Sequence, residues 1–188
     1  MKIGDENIEK IILESAKDLL FRYGVKGWNM DNLARESGMS KRTLYKIIGN
    51  KEDLLYKCHS DGLDKNTLLI KKYFKQDKDY CILLDGLSEE ILKGIDEFIV
   101  ASSKTIKTEY PRIEKMIKEK LKIHTKLYID FYEKGKSQGF LKDNINSNII
   151  NNIMITLMKY NLFESKDKSA FESTIKEELD FLFMVIRK

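Results

Sequence analysis

Between Asn29 and Ile48 a helical pattern is broken at Gly38 and resumes after Ser40, and this short interruption constrains the fold more than any other feature. Asn29 is a good N-cap, and Met30, Leu33 and Ala34 follow it at the spacing of one buried helical face. Gly38 stops that helix, Ser40 caps another through about Ile48, and Gly49-Asn50 ends it. Two short helices joined by a glycine turn form the helix-turn-helix layout, whose second helix enters a DNA major groove. A longer helix precedes them, with Ile8, Ile11, Ile12, Ala16, Leu19, Leu20 and Tyr23 on one stripe and Gly24 at its end. Lys51-Glu52-Asp53 opens a fourth, its acids placed to suit the helix dipole.

The recognition segment has two chemically distinct sides. At about 100° per residue, with Lys41 set at zero, Tyr45 lies near 40°, Arg42 near 100° and Lys46 near 140°. Leu44, Ile47 and Ile48 fall between about 240° and 340°. The aliphatic arc can pack on the first two helices while three cations and a tyrosine face outward. Residues 39–51 hold Lys41, Arg42, Lys46 and Lys51 and no acid, whereas residues 1–60 hold 11 basic and 9 acidic residues, so the basic charge is concentrated. Such an arc suits either an ordinary solvated surface or a DNA-reading face, and the two-helix geometry favours the second. Arg and Lys bond guanine O6 and N7 and neutralise phosphates, and a tyrosine bonds phosphate or packs on a thymine methyl.

Composition narrows the alternatives. One Pro and ten Gly among 188 residues disfavour a turn-rich all-β chain, and 42% hydrophobic residues supply a helical core. The net charge of +4 is too mild to imply nucleic acid by itself. Cys58, Cys81, His59 and His124 make neither a disulfide framework nor a metal centre, so no metal and no cofactor are expected. The charged start MKIGDENIEK lacks the apolar run of a signal peptide, and no stretch approaches the ~18 apolar residues of a spanning helix. The expectation is a cytoplasmic protein without membrane contact. With no Gly-rich phosphate loop, paired-carboxylate signature or nucleophile elbow, no catalytic residues and no enzyme activity are expected.

Beyond the fourth helix the periodicity predicts helices over roughly 84–102, from Pro111 to about Lys136, near 146–163 and near 168–187. A module boundary near residue 57 divides the chain into 1–57 and 58–188. Phe181-Leu182-Phe183-Met184-Val185-Ile186 covers every azimuth of a helix, so one face cannot bury it. A fully buried terminal helix, a buried strand without an evident partner, or a helix packed on both its own core and a second subunit are the available readings.

Residues 8–55 resemble the DNA-binding domain of TetR-type transcriptional regulators. The resemblance rests on Ala16, Leu19-Leu20-Phe21 and Gly24, then Met30-Asp31-Asn32-Leu33-Ala34, Ser37-Gly38-Met39-Ser40, Thr43-Leu44-Tyr45 and Lys51-Glu52-Asp53-Leu54-Leu55. It implies an all-α protein: an N-terminal three-helix helix-turn-helix DNA-binding domain, plus a larger C-terminal helical ligand-binding and dimerisation domain. By position it implies DNA contacts from Asn29, Ser40, Lys41, Arg42, Thr43, Tyr45, Lys46 and Lys51. Ile47 stands where an aromatic or His often contacts DNA, and Ile48 replaces a usual Phe. Arg42 stands where small residues are frequent and adds a guanine contact to the expected set.

The resemblance also implies an effector pocket, with Phe98, His124, Tyr128, Phe131 and Tyr132 as candidate lining residues. It implies a homodimer through the last two helices, for which Ile153, Leu157, Ile175, Leu179, Leu182, Phe183 and Ile186 are candidates. The function implied is a sequence-specific bacterial DNA-binding regulator, most often a repressor, released from a palindromic double-stranded operator by a small-molecule effector. Alternatives are an effector-independent activator or nucleoid-associated protein, and a helical dimeric ligand-binding or interaction protein with a vestigial reading head.

Overall fold

The computed structural model describes residues 6–188; residues 1–5, where the signal-peptide reading begins, lie outside the described residues. The described residues form ten helices: α1 Glu6–Tyr23, α2 Met30–Glu36, α3 Lys41–Ile48, α4 Lys51–Phe74, α5 Tyr80–Asp85, α6 Leu87–Lys93, α7 Glu97–Glu109, α8 Pro111–Ser137, α9 Ser147–Glu164 and α10 Lys168–Ile186. The only bridge among the described residues is an isolated antiparallel one between Leu141 and Arg187, which ties the end of α10 to the turn after α8.

Local chemistry explains the short N-terminal elements. The Asn29 side chain accepts from the amides of Asp31 and Asn32 at 2.9 and 3.1 Å, and the Asn32 side chain accepts from the Asn29 amide at 2.9 Å, a closed capping box. Gly38 turns the chain at φ +65°, a left-handed conformation that L side chains resist. The Ser40 hydroxyl then accepts from the Thr43 amide at 3.1 Å and starts α3.

Two apolar clusters organise the chain. The first joins Ile12, Leu19, Leu20, Trp28, Leu33, Leu44, Leu54 and Leu55 of the head to Phe98, Ile106, Ile113 and Met116 from α7 and α8. The second gathers Ile70, Leu83, Leu87, Tyr132, Phe171, Ile175 and Leu179. α4 crosses position 57 without a break and contributes to both, packing along α8.

The helix expected over 84–102 is instead three, α5, α6 and α7, interrupted at Gly86 and at Gly94-Ile95-Asp96. Gly94 lies where a Cβ would collide with the Asn66 side chain of α4, and Asp96 caps α7 by accepting from the Ile99 amide at 3.1 Å. The six-residue apolar run divides between two environments. Leu182, Phe183 and Ile186 are buried in the chain's own core, while Phe181, Met184 and Val185 face outward.

Candidate DNA-binding face and interior cavity

On α3 the two arcs separate as the angular reading predicts. Leu44 and Ile48 are buried and Ile47 is half-buried, while Lys41, Arg42, Tyr45 and Lys46 are exposed, Tyr45 by 50%. The Lys41 ammonium pairs with Asp31 of α2. Among the described residues no hydrogen bond or ion pair engages Arg42 or Lys46, so both cations are available to an outside partner. Asn29 and Ser40 are exposed at the N-termini of α2 and α3 with their side chains committed to capping. The Thr43 hydroxyl is 2.8 Å from that of Ser40.

Lys51 departs from its expected place among the DNA contacts. Its ammonium is turned inward, bonded to the carbonyl of Val25 at 2.5 Å and to that of Trp28, and rests 4.2 Å above the Trp28 ring. Burial lowers its pKa. The side chain pins the α1–α2 loop to the start of α4. Lys51→Ala is therefore expected to lower unfolding free energy by about 2 kcal/mol, the scale of charge-assisted hydrogen bonds. It is expected to leave the salt dependence of DNA binding unchanged; denaturant melts and salt titrations read the two effects separately.

The elbow between α7 and α8 grips the head. Arg112 donates to Asp53 at 2.6 Å and lies 4.8 Å from the Tyr56 ring. Asp53 also accepts from the Asn50 amide that precedes α4, and these two bonds, that of Arg112 foremost, hold its carboxyl below the usual range. Lys26 pairs with Glu109 at 2.5 Å. Exposed pairs such as these contribute little stability, but they join the elbow to the α1–α2 loop and to the start of α4.

The same elbow borders a cavity of about 310 Å³ bounded by α4, α6, α7, α8 and α9. Of the five candidate lining residues, His124 and Tyr128 border this cavity, whereas Phe98, Phe131 and Tyr132 belong to the packed core. Phe98 packs on His59 with ring centroids 4.8 Å apart. Phe131 stacks between Phe74 and Tyr80 at 4.3 and 4.6 Å, and the Tyr132 hydroxyl reaches the Met154 sulfur at 3.6 Å. Sequence reasoning missed the α9 wall: Asn151, Met154, Ile155, Met158, Lys159 and Leu162. Their i, i+3, i+4, i+7 spacing was readable, but Asn151 and Lys159 mask it as an apolar stripe.

Both histidines at the cavity are buried beside a hydroxyl partner, and burial lowers the pKa of each. Thr67 gives its single proton to the Leu63 carbonyl, so the His124 Nε2–H donates to Thr67 Oγ1 at 2.6 Å. Ser102 likewise donates to the Phe98 carbonyl, so the His59 Nε2–H donates to Ser102 Oγ at 3.1 Å. Burial pushes His59 down to about 4. Unfolding frees it to bind a proton near its ordinary value of about 6.5, so its contribution is intact above that pH and is lost as pH falls toward 4. The expected loss is about 3 kcal/mol across that window. Urea melts at successive pH values should show it, and His59→Gln should flatten the slope.

Of the seven dimer candidates, Ile175, Leu179, Leu182, Phe183 and Ile186 are buried within this chain and Leu157 is partly covered by it; Ile153 is exposed. The apolar side chains that α9 and α10 leave uncovered are Ile149, Ile153 and Tyr160, and Phe181, Met184 and Val185.

Residues 12–58 match the model of the family described as bacterial regulatory proteins, tetR family. The fatty acid degradation regulator FadR from Bacillus halodurans superposes with a TM-score of 0.73 at 16% identity, over 96% of this chain and 97% of its own. The TetR family regulator PfmR from Thermus thermophilus gives 0.73 at 19% identity, over 92% and 97%. FadR from Bacillus subtilis, solved in complex with stearoyl-CoA, gives 0.68 at 14% identity, over 90% and 96%. No curated protein matches the sequence. The head thus matches the tetR family model, and the chain shares the fold of these solved regulators over nearly its whole length.

Proposed function

We propose that the protein is a sequence-specific DNA-binding transcriptional regulator that acts as a homodimer and releases a palindromic operator when a small molecule fills the interior cavity. The outward arc of α3, with Arg42 and Lys46 unpaired beside exposed Tyr45, carries the reading. Arg42 reads a guanine edge, Lys46 neutralises a phosphate, and Tyr45 packs between them. The head, residues 1–57, is the reading unit, and residues 58–188 hold the effector and the second subunit.

The uncovered apolar side chains of α9 and α10 support the dimer: Phe181 and Met184 are 64% and 62% exposed and lie one helical turn apart. A two-fold pair of heads addresses two half-sites about one helical turn of DNA apart, roughly 34–36 Å. FadR from Bacillus subtilis, of the same fold, binds stearoyl-CoA. That supports a ligand in the corresponding interior here.

The release mechanism follows from shared walls. Ile106 belongs both to the cavity lining and to the head's core, and Glu114, Ile117 and Lys118 border the cavity within two turns beyond Arg112. A ligand that spreads α7 and α8 shifts the anchor of α4 and changes the separation of the heads. It moves the equilibrium only by its difference in affinity for the two states. Selection of bound duplexes from a random library tests the reading: an enriched inverted repeat supports it, and an unenriched pool overturns it.

A further inference from the structure

The inner half of the cavity carries polar groups that the fold leaves unused. Its walls are mainly aliphatic, with Leu63, Ile91, Ile99, Leu121, Met154 and Met158 among them. Two polar side chains interrupt these walls, Asn66 of α4 and Tyr128 of α8, which are only 7% and 4% exposed. Among the described residues no hydrogen bond engages the Asn66 amide or the Tyr128 hydroxyl. The side-chain polar atoms that are fully enclosed without a partner are Trp28 Nε1 and the Asn151 carbonyl oxygen. The Asn66 and Tyr128 groups are unpaired but not enclosed, so they open into the cavity that they line. Buried polar groups are nearly always hydrogen-bonded, so these two call for a partner on the cavity's occupant.

The fold holds the two groups near each other. Thr67, next to Asn66, meets His124 at 2.6 Å, and Tyr128 lies one helical turn beyond His124 on the same face of α8. Farther along α4, the Phe74 ring meets the Tyr128 ring edge-on at 5.6 Å and steadies it. Asn66 and Tyr128 are therefore about one turn apart along two helices that pack side by side. Gly94 makes room for the amide, because a Cβ there would collide with the Asn66 nitrogen.

Positive charge is placed elsewhere. The lining lysines, Lys107, Lys118 and Lys159, are exposed, and Lys118 precedes Tyr128 on α8 by ten residues, about 15 Å. His124 is engaged with Thr67 and His59 with Ser102, and burial disfavours the charged form of both. A carboxylate at the inner end would be buried without a cation, which is costly. A plain alkyl chain would offer the two groups neither donor nor acceptor. A neutral carbonyl oxygen accepts from both, since the amide NH₂ and the phenol each donate and the oxygen has two lone pairs. The cavity's 310 Å³ equals about ten water volumes, so its occupant is small, roughly a dozen non-hydrogen atoms.

We infer that the cavity takes a small, uncharged, largely aliphatic carbonyl compound, whose oxygen accepts from the Tyr128 hydroxyl and the Asn66 amide. The inference deepens the effector reading above and rests on it for its biological meaning, but the binding itself is measured without DNA. The aliphatic walls favour any apolar guest of this size, and the two donors select the carbonyl among them.

The test is calorimetry on the full-length protein with 4-pentylcyclohexanone, 1-methylidene-4-pentylcyclohexane and 4-pentylcyclohexanecarboxylate. The three share a skeleton and differ at one end: a carbonyl, the same shape without the oxygen, and an anion. The ketone is expected to bind about tenfold more tightly than the hydrocarbon, the worth of two modest net hydrogen bonds, and more tightly than the carboxylate. Tyr128→Phe keeps the ring against Phe74 and removes the donor. It should bind the hydrocarbon as before and weaken the ketone by about threefold or more, a change that a merely structural role would spread over both compounds. Asn66→Leu should act likewise. Equal affinities for ketone and hydrocarbon, a preference that survives intact in both variants, tighter binding of the carboxylate, or no binding of any of them overturns the inference. Preferred ketone binding that fails to displace a selected duplex supports the ligand class and counts against the effector reading alone.

Discussion

Phe181→Asp with Met184→Asp is expected to give a folded monomer that loses operator binding by at least about a hundredfold. Both side chains are exposed in the single chain, so carboxylates there meet water and the core is undisturbed. In the proposed dimer the same positions face the partner, and the introduced carboxylates of both subunits would be desolvated together. Operator affinity then falls because joining two heads raises apparent affinity by about 10²–10⁴ without any new contact. Light scattering and a binding titration read the two effects, with far-UV circular dichroism to confirm the fold. Leu182→Asp answers a different question. Leu182 is buried in its own chain, so a carboxylate there tests folding and leaves assembly unaddressed.

Removal of the two free cations of α3 is the other large effect. Lys46→Ala is expected to reduce the slope of log affinity against log salt by about 0.9 per lost phosphate contact, close to two for a dimer. It should weaken all duplexes alike. Arg42→Ala is expected to cost about 1–3 kcal/mol at each half-site and to relax preference at one base pair per half-site. Titrations over a salt series on the selected operator and on a scrambled duplex separate the roles. Uniform weakening by Arg42→Ala would make it a backbone contact, and an unchanged slope for Lys46→Ala would remove it from the phosphates.

The face of α3 was legible because its determinants are local. Caps at Asn29 and Ser40, the turn at Gly38 and the azimuths of eight residues fix which side is buried. Lys51 was not legible in the same way. Its inward turn depends on carbonyls of Val25 and Trp28, more than twenty positions earlier, which only the folded α1–α2 loop presents. The break at Gly94 depends on the approach of Asn66 across the bundle.

The long C-terminal helices were harder for another reason. α10 is apolar on several faces, so periodicity cannot say which apolar residues meet their own core and which face outward: Leu179 and Phe183 turn in, Phe181 and Met184 turn out. On α9 the inward side includes buried Asn151 and Asn161, and the outward side carries Ile149 and Ile153. Hydropathy alone therefore hides the cavity wall and reverses part of the helix.

Photo-cross-linking from position 45 tests the central claim most directly. Benzoylphenylalanine in place of Tyr45 should cross-link to the selected duplex at two positions related by its two-fold axis, while the same group at Lys122, exposed on α8, gives none. Cross-links absent at position 45, or equally strong at position 122, would contradict a DNA-reading role for the outward face of α3.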